Sequence, residues 1–193
     1  MAATPSTMLE LGTRMPQFSL PDVDGKTVSS ADLTGSPGTL VMFICNHCPF
    51  VIHVRDELVK LVKQYQAKGI KVVAISANDV TTHPDDGPSR MGEIARECGF
   101  TFPYLYDESQ ETAKAFHAAC TPDFFLFDGD GKLFYRGQMD DSRPGNDLPV
   151  DGKDLRAAID ELLSANPAPR QQKPSMGCNI KWREGNEPAY FVV

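Results

Sequence analysis

Thr39-Leu40-Val41-Met42-Phe43-Ile44-Cys45-Asn46-His47-Cys48-Pro49-Phe50 decides the reading of this chain. A continuous apolar run fits a strand buried on both faces, and it leads straight into a Cys-x-x-Cys segment. Beyond it, Val51, Val54, Leu58, Leu61, Val62 and Tyr65 recur at three- and four-residue steps, which predicts a helix from about Pro49 to Lys68 closed by Gly69. Proline suits the first helical position, so Cys48 falls at the N-cap. A helix start exposes unpaired backbone N–H groups and a partial positive charge, and both favour a thiolate over a thiol. A protonated His47 would favour it further. The plain alternative is a pair of buried structural thiols.

Working outward, Phe18-Ser19-Leu20 and Thr27-Val28-Ser29 flank an Asp/Gly turn and read as an antiparallel hairpin. Downstream, Ile70 to Ser76 is a second buried strand and Asn78 to Gly87 a polar loop. A helix from about Pro88 to Cys98 and a short strand, Phe102 to Tyr106, follow. Asp107 is placed to cap a helix through about Ala118, with Gln110 as its capping-box partner. Phe124 to Phe127 and Leu133 to Arg136 form another hairpin, and Gly152 to Ser164 the last helix. This order implies an α/β core whose central mixed sheet has a parallel and an antiparallel part. Residues 8–164 are expected to form one domain. Residues 165–193 are Pro/Gln-rich at first, then carry Met176-Gly177-Cys178-Asn179-Ile180-Lys181-Trp182 and Tyr190 to Val193, the composition of a C-terminal extension that docks back onto the domain.

A chain of 193 residues that is 41% hydrophobic can bury a sizeable core and needs no disulfide staples. With 26 acids against 19 bases and no basic cluster, it lacks the electrostatic footprint of a nucleic-acid binder. Met1 to Phe18 contains no apolar stretch of signal-peptide length, and no run is long enough to cross a bilayer. A cytoplasmic protein without membrane contact is expected, in which disulfides form transiently, for catalysis or sensing. Five cysteines leave at least one thiol unpaired within a monomer.

Two other patterns carry ligand-type residues. Cys45, His47, Cys48 and His53, with Cys120, offer soft donors for zinc or copper, but no second close Cys/His pair completes a site, and no metal is assigned. Asp128-Gly129-Asp130-Gly131 opens like a calcium loop, yet the twelfth position is Met139 rather than a bidentate Glu, so it reads as a hairpin turn. Thr121-Pro122 stands directly before a strand of aromatic residues, where proline belongs at a strand's first position.

Taken together, Met15 to Gly25, the Cys45–Cys48 segment, Phe102-Pro103-Tyr104-Leu105-Tyr106-Asp107 and Thr121 to Gly129 resemble the thioredoxin-like superfamily. Within it, the chain is similar to the redoxin or peroxiredoxin-like branch, the alkyl hydroperoxide reductase and thiol-specific antioxidant proteins. The resemblance implies a thioredoxin-like fold, with Pro122 in the cis form beside the active cysteine and Thr121-Pro122 holding an extended substrate backbone. An ungapped register puts Cys48 on the nucleophilic cysteine and Val51 on the usual resolving position. Cys45 then lies upstream of the ordinary motif, and Met42 stands where many thioredoxins carry a buried acid. The peroxidase signature P-x-x-x-T/S-x-x-C, ended at Cys48, meets Val41 and Cys45 at its diagnostic positions, so that signature is missing.

The expected function is thiol–disulfide oxidoreduction in cell redox homeostasis, with Cys48 as nucleophile and Cys45 as resolving partner. Cys178 and Cys120 stand as alternative resolving residues, Thr121 and Pro122 position the substrate, and His47 tunes the thiolate. A peroxiredoxin-like thiol peroxidase and a non-enzymatic metal-binding or thiol-sensing protein are the alternatives. No cofactor is expected. The partners would be a thiol- or disulfide-containing protein or small molecule and a cellular reductant, the protein being a monomer or homodimer.

Overall fold

In the computed structural model, which describes residues 3–191, the apolar run becomes strand β4, and its alternation divides the molecule. The chain forms β1 (Ala3–Pro5), β2 (Ser19–Pro21), β3 (Thr27–Ser29), β4 (Gly38–Phe43), α1 (Pro49–Gln66), β5 (Lys71–Ser76), α2 (Pro88–Glu97), β6 (Tyr104–Tyr106) and α3 (Glu111–Ala115). It continues through β7 (Cys120–Thr121), β8 (Asp123–Asp128), β9 (Leu133–Gly137), α4 (Lys153–Leu163) and β10 (Met176–Asn179). Leu40 and Met42, with Ile44 just beyond the strand, enter one core layer beneath α1 and α4. Val41 and Phe43 enter the other, with Phe116, Phe125 and Phe127. Side chains alternate across a strand, so only an unbroken apolar run can fill two cores at once.

The central sheet has the order β6-β5-β4-β8-β9, with β4, β5 and β6 parallel and β8 and β9 antiparallel to their neighbours. β2 and β3 form the expected N-terminal hairpin. The turn between β8 and β9 is held by Asp128, whose Oδ1 accepts the N–H groups of Asp130 and Lys132, so the aspartate is spent on its own backbone. α1, α2 and α4 start and stop within about two residues of the periodicity reading, the usual uncertainty of helix ends.

The third helix departs from expectation. It covers only Glu111–Ala115, because Gln110 adopts a left-handed conformation with φ 66°. Gln110 does not complete a capping box. Its buried amide donates to the carbonyls of Ala77 and Lys181 and accepts the N–H of Arg183, clasping the returning C-terminal segment. Asp107 reaches forward instead, accepting the N–H of Ala113.

That C-terminal segment completes a second, three-stranded sheet of order β1-β10-β7, antiparallel throughout. Ile180 and Trp182 bury themselves in the layer that holds Phe116 and Phe125, and Tyr190 hydrogen-bonds the carbonyls of Ala113 and Ala118. Of the apolar terminal residues, Val192 and Val193 lie outside the described region.

Candidate active site

Cys48 is the N-cap of α1, in extended conformation, and Pro49 opens the helix. Cys45 ends the loop-ward extension of β4. Both are buried, Cys48 with no exposed surface at all. Across from them stands Thr121, whose bond to Pro122 is cis. The Cys48 thiol donates to the Thr121 carbonyl oxygen at 3.1 Å, and Cys45 Sγ lies 3.4 Å from Thr121 Oγ1.

The electrostatics of this group set one sulfur apart. The Cys48 thiol is lowered to about 5, first by the hydrogen bond from Cys45, then by those from Thr121 and Cys178 and from the backbone N–H of Val51 in the first helical turn. Burial opposes the shift, and the donors prevail. Cys45 is held well above the ordinary thiol range by its hydrogen bond to Cys48, by burial and by the charge of Asp86. Cys178 is pushed up to about 12 by burial and by its own bond to Cys48. One charge-bearing sulfur is thus solvated by two protonated ones, a helix N–H and a hydroxyl.

His47 occupies a different environment from the one its position suggests. Its Nδ1 lies 2.6 Å from Oδ2 of Asp86, and its ring stacks on His83 at 5.1 Å between centroids. Asp86, which the sequence offers only as one acid of a polar loop, is fully buried. Its Oδ1 accepts the backbone N–H groups of Asn46 and His47 at 2.7 and 3.3 Å, and its Oδ2 accepts the amide of Asn78 at 2.7 Å. Asn46 in turn accepts the Tyr104 hydroxyl and donates to the Asp85 carbonyl. This network fixes the two residues between the cysteines. Nothing in the local pattern Asp85-Asp86-Gly87 distinguishes it from an ordinary turn, which is why sequence reasoning missed it.

The remaining candidates separate clearly. Cys178 lies in β10 directly opposite Thr121, and β10 packs against α1. Cys120 is fully buried, but alternation along β7 turns it to the face opposite the Thr121 side chain, and its Sγ faces the Pro122 carbonyl at 3.6 Å. Cys98, at the end of α2, is half-buried and takes no part in this group. His53 leaves the cysteines altogether and contacts Ser142 at 2.7 Å. Among the described residues, the metal-type donor set is therefore Cys45, His47 and Asp86, whose ligand atoms lie within 4.8 Å of one another. Both Asp86 oxygens already accept hydrogen bonds there. A peroxide-reducing site would need a free guanidinium to orient the peroxide, and Arg136 and Arg143 are both engaged: Arg143 binds the Asp140 and Ser142 carbonyls and Gln138, and Arg136 binds Gln172 and the Met8 carbonyl.

The model of the AhpC/TSA family matches residues 11–136. The chain belongs to that family. Relatives of the AhpC/TSA protein include the crystal structure of an uncharacterized conserved protein from Geobacillus kaustophilus, which is 54% identical with a TM-score of 0.93, over 95% of this chain and 97% of that one. The thiol-disulfide oxidoreductase ResA of Bacillus anthracis is 25% identical, over 65% of this chain and 68% of its own length. The thioredoxin domain of a thiol-disulfide oxidoreductase from Bacteroides vulgatus, 18% identical with a TM-score of 0.62, covers 80% of this chain and 99% of that one, and shows the fold to be thioredoxin-like. Among the described residues, no helix is long and apolar enough to cross a membrane.

Proposed function

We propose that this AhpC/TSA-family protein is a thiol–disulfide oxidoreductase of cell redox homeostasis in which Cys48 is the nucleophile and Cys45 the resolving thiol. One observation carries the reading: Cys48 caps the start of α1, buried in one cluster with Cys45 and 3.1 Å from the Thr121 carbonyl oxygen, where the surrounding donors, foremost Cys45, lower its thiol to about 5. The Cys48 thiolate attacks one sulfur of a disulfide, forms a mixed disulfide and releases the other sulfur as a thiolate. In the mixed disulfide Cys48 carries no charge, so the hydrogen bond that held the Cys45 proton is gone. Cys45 then attacks Cys48, forming the Cys45–Cys48 disulfide and expelling the second thiol. A cellular reductant returns the pair to dithiol. Thr121 positions the reacting sulfurs, and Asp86 and His47 hold the intervening loop. The relative named a thiol-disulfide oxidoreductase agrees with this chemistry, and a cytoplasmic setting belongs to the same reading.

Family membership also favours a second reading, a thiol peroxidase. The missing signature and the occupied Arg136 and Arg143 weigh against it. Reaction of the reduced protein with a small disulfide and with hydrogen peroxide, each followed by stopped flow at pH 7, separates the two. Fast, Cys48-dependent reaction with the disulfide and slow, non-saturating peroxide consumption are expected. A Cys48 alkylation midpoint near the free value of about 8.5 would sink the activated-thiol basis of both. Sulfur-dependent binding of zinc or Cu(I) in equilibrium dialysis, without disulfide turnover, would favour the metal-binding alternative.

A further inference from the structure

The edge of β7, where the Thr121–Pro122 bond is cis, is filled by the chain itself. β10 pairs antiparallel with β7 in the register Cys178 to Thr121 and Asn179 to Cys120, and β1 pairs with its far side. The approach is too close for any side chain at Gly177: a Cβ there would lie 1.9 Å from the Thr121 carbonyl oxygen and 2.5 Å from its carbon. The strand is anchored at both ends. The Ser175 hydroxyl donates to the Pro122 carbonyl, its N–H donates to Ser6 Oγ, and its carbonyl accepts the Ser6 N–H. Beyond Cys178, the Ile180 N–H meets the Ala119 carbonyl, and Trp182 is buried.

We propose that β10 holds Cys178 as a third redox thiol of the site, which takes Cys48 into a Cys48–Cys178 disulfide. The inference rests on Cys48 being the nucleophile, as argued above. Three facts carry it. Cys178 sits in register with Thr121, the residue whose carbonyl oxygen is 3.1 Å from Cys48 Sγ. Cys45, Cys48 and Cys178 all belong to one buried cluster, and the Cys178 thiol hydrogen-bonds Cys48. And an outside polypeptide cannot add a strand at Thr121 while β10 holds it. Protonation agrees with this arrangement, since burial and the bond to Cys48 push the Cys178 thiol up to about 12. Once Cys48 is tied in a disulfide, the second of those causes is removed.

The step balances without an added oxidant. Cys178 sulfur attacks Cys48 sulfur of the Cys45–Cys48 disulfide, the Cys48–Cys178 bond forms, and the Cys45–Cys48 bond breaks. Cys178 is oxidised, Cys45 is reduced, and the proton lost by Cys178 ends on Cys45. From a mixed disulfide of Cys48 with an external thiol, the same attack releases that thiol with the proton.

The test uses the full chain, reduced, exposed to excess hydroxyethyl disulfide, blocked with N-ethylmaleimide and mapped by mass spectrometry without reduction. In Cys45→Ser, a peptide linking Cys48 to Cys178 is expected. The mercaptoethanol adduct on Cys48 should decay at least about tenfold faster than in the Cys45→Ser/Cys178→Ser double variant, because a held thiol acts at high effective concentration. An adduct equally persistent in both variants overturns the proposal and leaves Cys48 as nucleophile. No adduct on Cys48 in either variant, with native far-UV circular dichroism, overturns it together with the proposed function. Wild-type protein oxidised with diamide gives an independent reading: a Cys48–Cys178 peptide beside Cys45–Cys48 supports the proposal, and Cys45–Cys48 alone overturns it.

Discussion

The carbonyl oxygen of Thr121 lies 3.1 Å from Cys48 Sγ, and the hydroxyl of the same threonine lies 3.4 Å from Cys45 Sγ. The carbonyl can only accept, so it favours the Cys48 thiol. The thiolate is nevertheless preferred, because it gains hydrogen bonds from Cys45, Thr121, Cys178 and the Val51 N–H. A hydrogen bond to a charged acceptor outweighs one between neutral groups. A single residue of β7 thus touches both sulfurs and, through strand pairing, fixes where a third one comes.

Cys48 should react with iodoacetamide at a rate that is flat at neutral pH and falls as pH drops through about 5. Replacing Cys45 with Ala removes the largest of the donors. The midpoint is expected to rise by at least about one unit, equivalent to about 1.4 kcal/mol of thiolate stabilisation. Alkylation rates from pH 4 to 9, monitored by intact mass, check both values. An unchanged midpoint in Cys45→Ala would mean that Thr121, Cys178 and the Val51 N–H set it without Cys45.

Removal of the Asp86 carboxylate should loosen the loop between the cysteines. In Asp86→Ala the Asn46 and His47 N–H groups and the buried Asn78 amide lose their acceptor. An unpaired buried donor costs about 1–3 kcal/mol, and the Asn46 and His47 N–H groups are only part-buried, so a loss of about 2–4 kcal/mol is expected in urea unfolding. Asp86→Asn keeps one acceptor oxygen and should lose less. Equal losses in the two variants would show that charge, rather than the hydrogen-bond pattern, is what the loop requires.

Gly177→Ala should unseat β10. Its Cβ would fall within the carbonyl of Thr121, and backbone cannot give way as a flexible side chain would. Overpacking of this kind costs about 1–3 kcal/mol. Cys178 should become reactive to a membrane-impermeant maleimide and the segment after Ser164 open to proteolysis. Protection equal to wild type would show that the strand can shift without leaving.

Asp123, next to Pro122, is fully buried, and burial raises its carboxyl well above the usual range, while Oδ1 has no hydrogen-bond partner. A group whose folded pKa is raised contributes stability below its unfolded value of about 3.9 that is lost as pH rises through the folded value. Asp123→Asn keeps an acceptor for the Ala119 N–H without a charge to bury. It should therefore be more stable than wild type at pH 8, by about 1–3 kcal/mol, and the difference should shrink towards pH 4. Chemical unfolding at the two pH values reads this directly. A difference that grows on acidification would reverse the argument.

How far the sequence carried depends on the range of the interaction. Val51, Val54, Leu58, Leu61 and Val62 declare α1 through their spacing alone, and all are buried where that spacing puts them. The run Leu40 to Ile44 likewise declares a strand buried on both faces. Gln110 failed as a capping residue because the acceptors it meets, the Ala77 and Lys181 carbonyls, are distant in the chain and outbid a local cap. Asp86 was silent for the same reason: the two N–H groups it accepts lie about forty residues away.

Resemblance implied the thioredoxin-like fold; by itself, the sequence determined the order of strands and helices in the central α/β core and Cys48 at the mouth of a helix. These follow from periodicity, turn chemistry and the unpaired N–H groups of a helix start, which are local. Only the tertiary structure decided which groups surround that sulfur. It set Cys178 in register with Thr121, turned Cys120 away, moved His53 to Ser142 and gave His47 to Asp86. Strand pairing between residues some fifty positions apart depends on how two cores fill and which buried polar groups find partners. No local pattern encodes that.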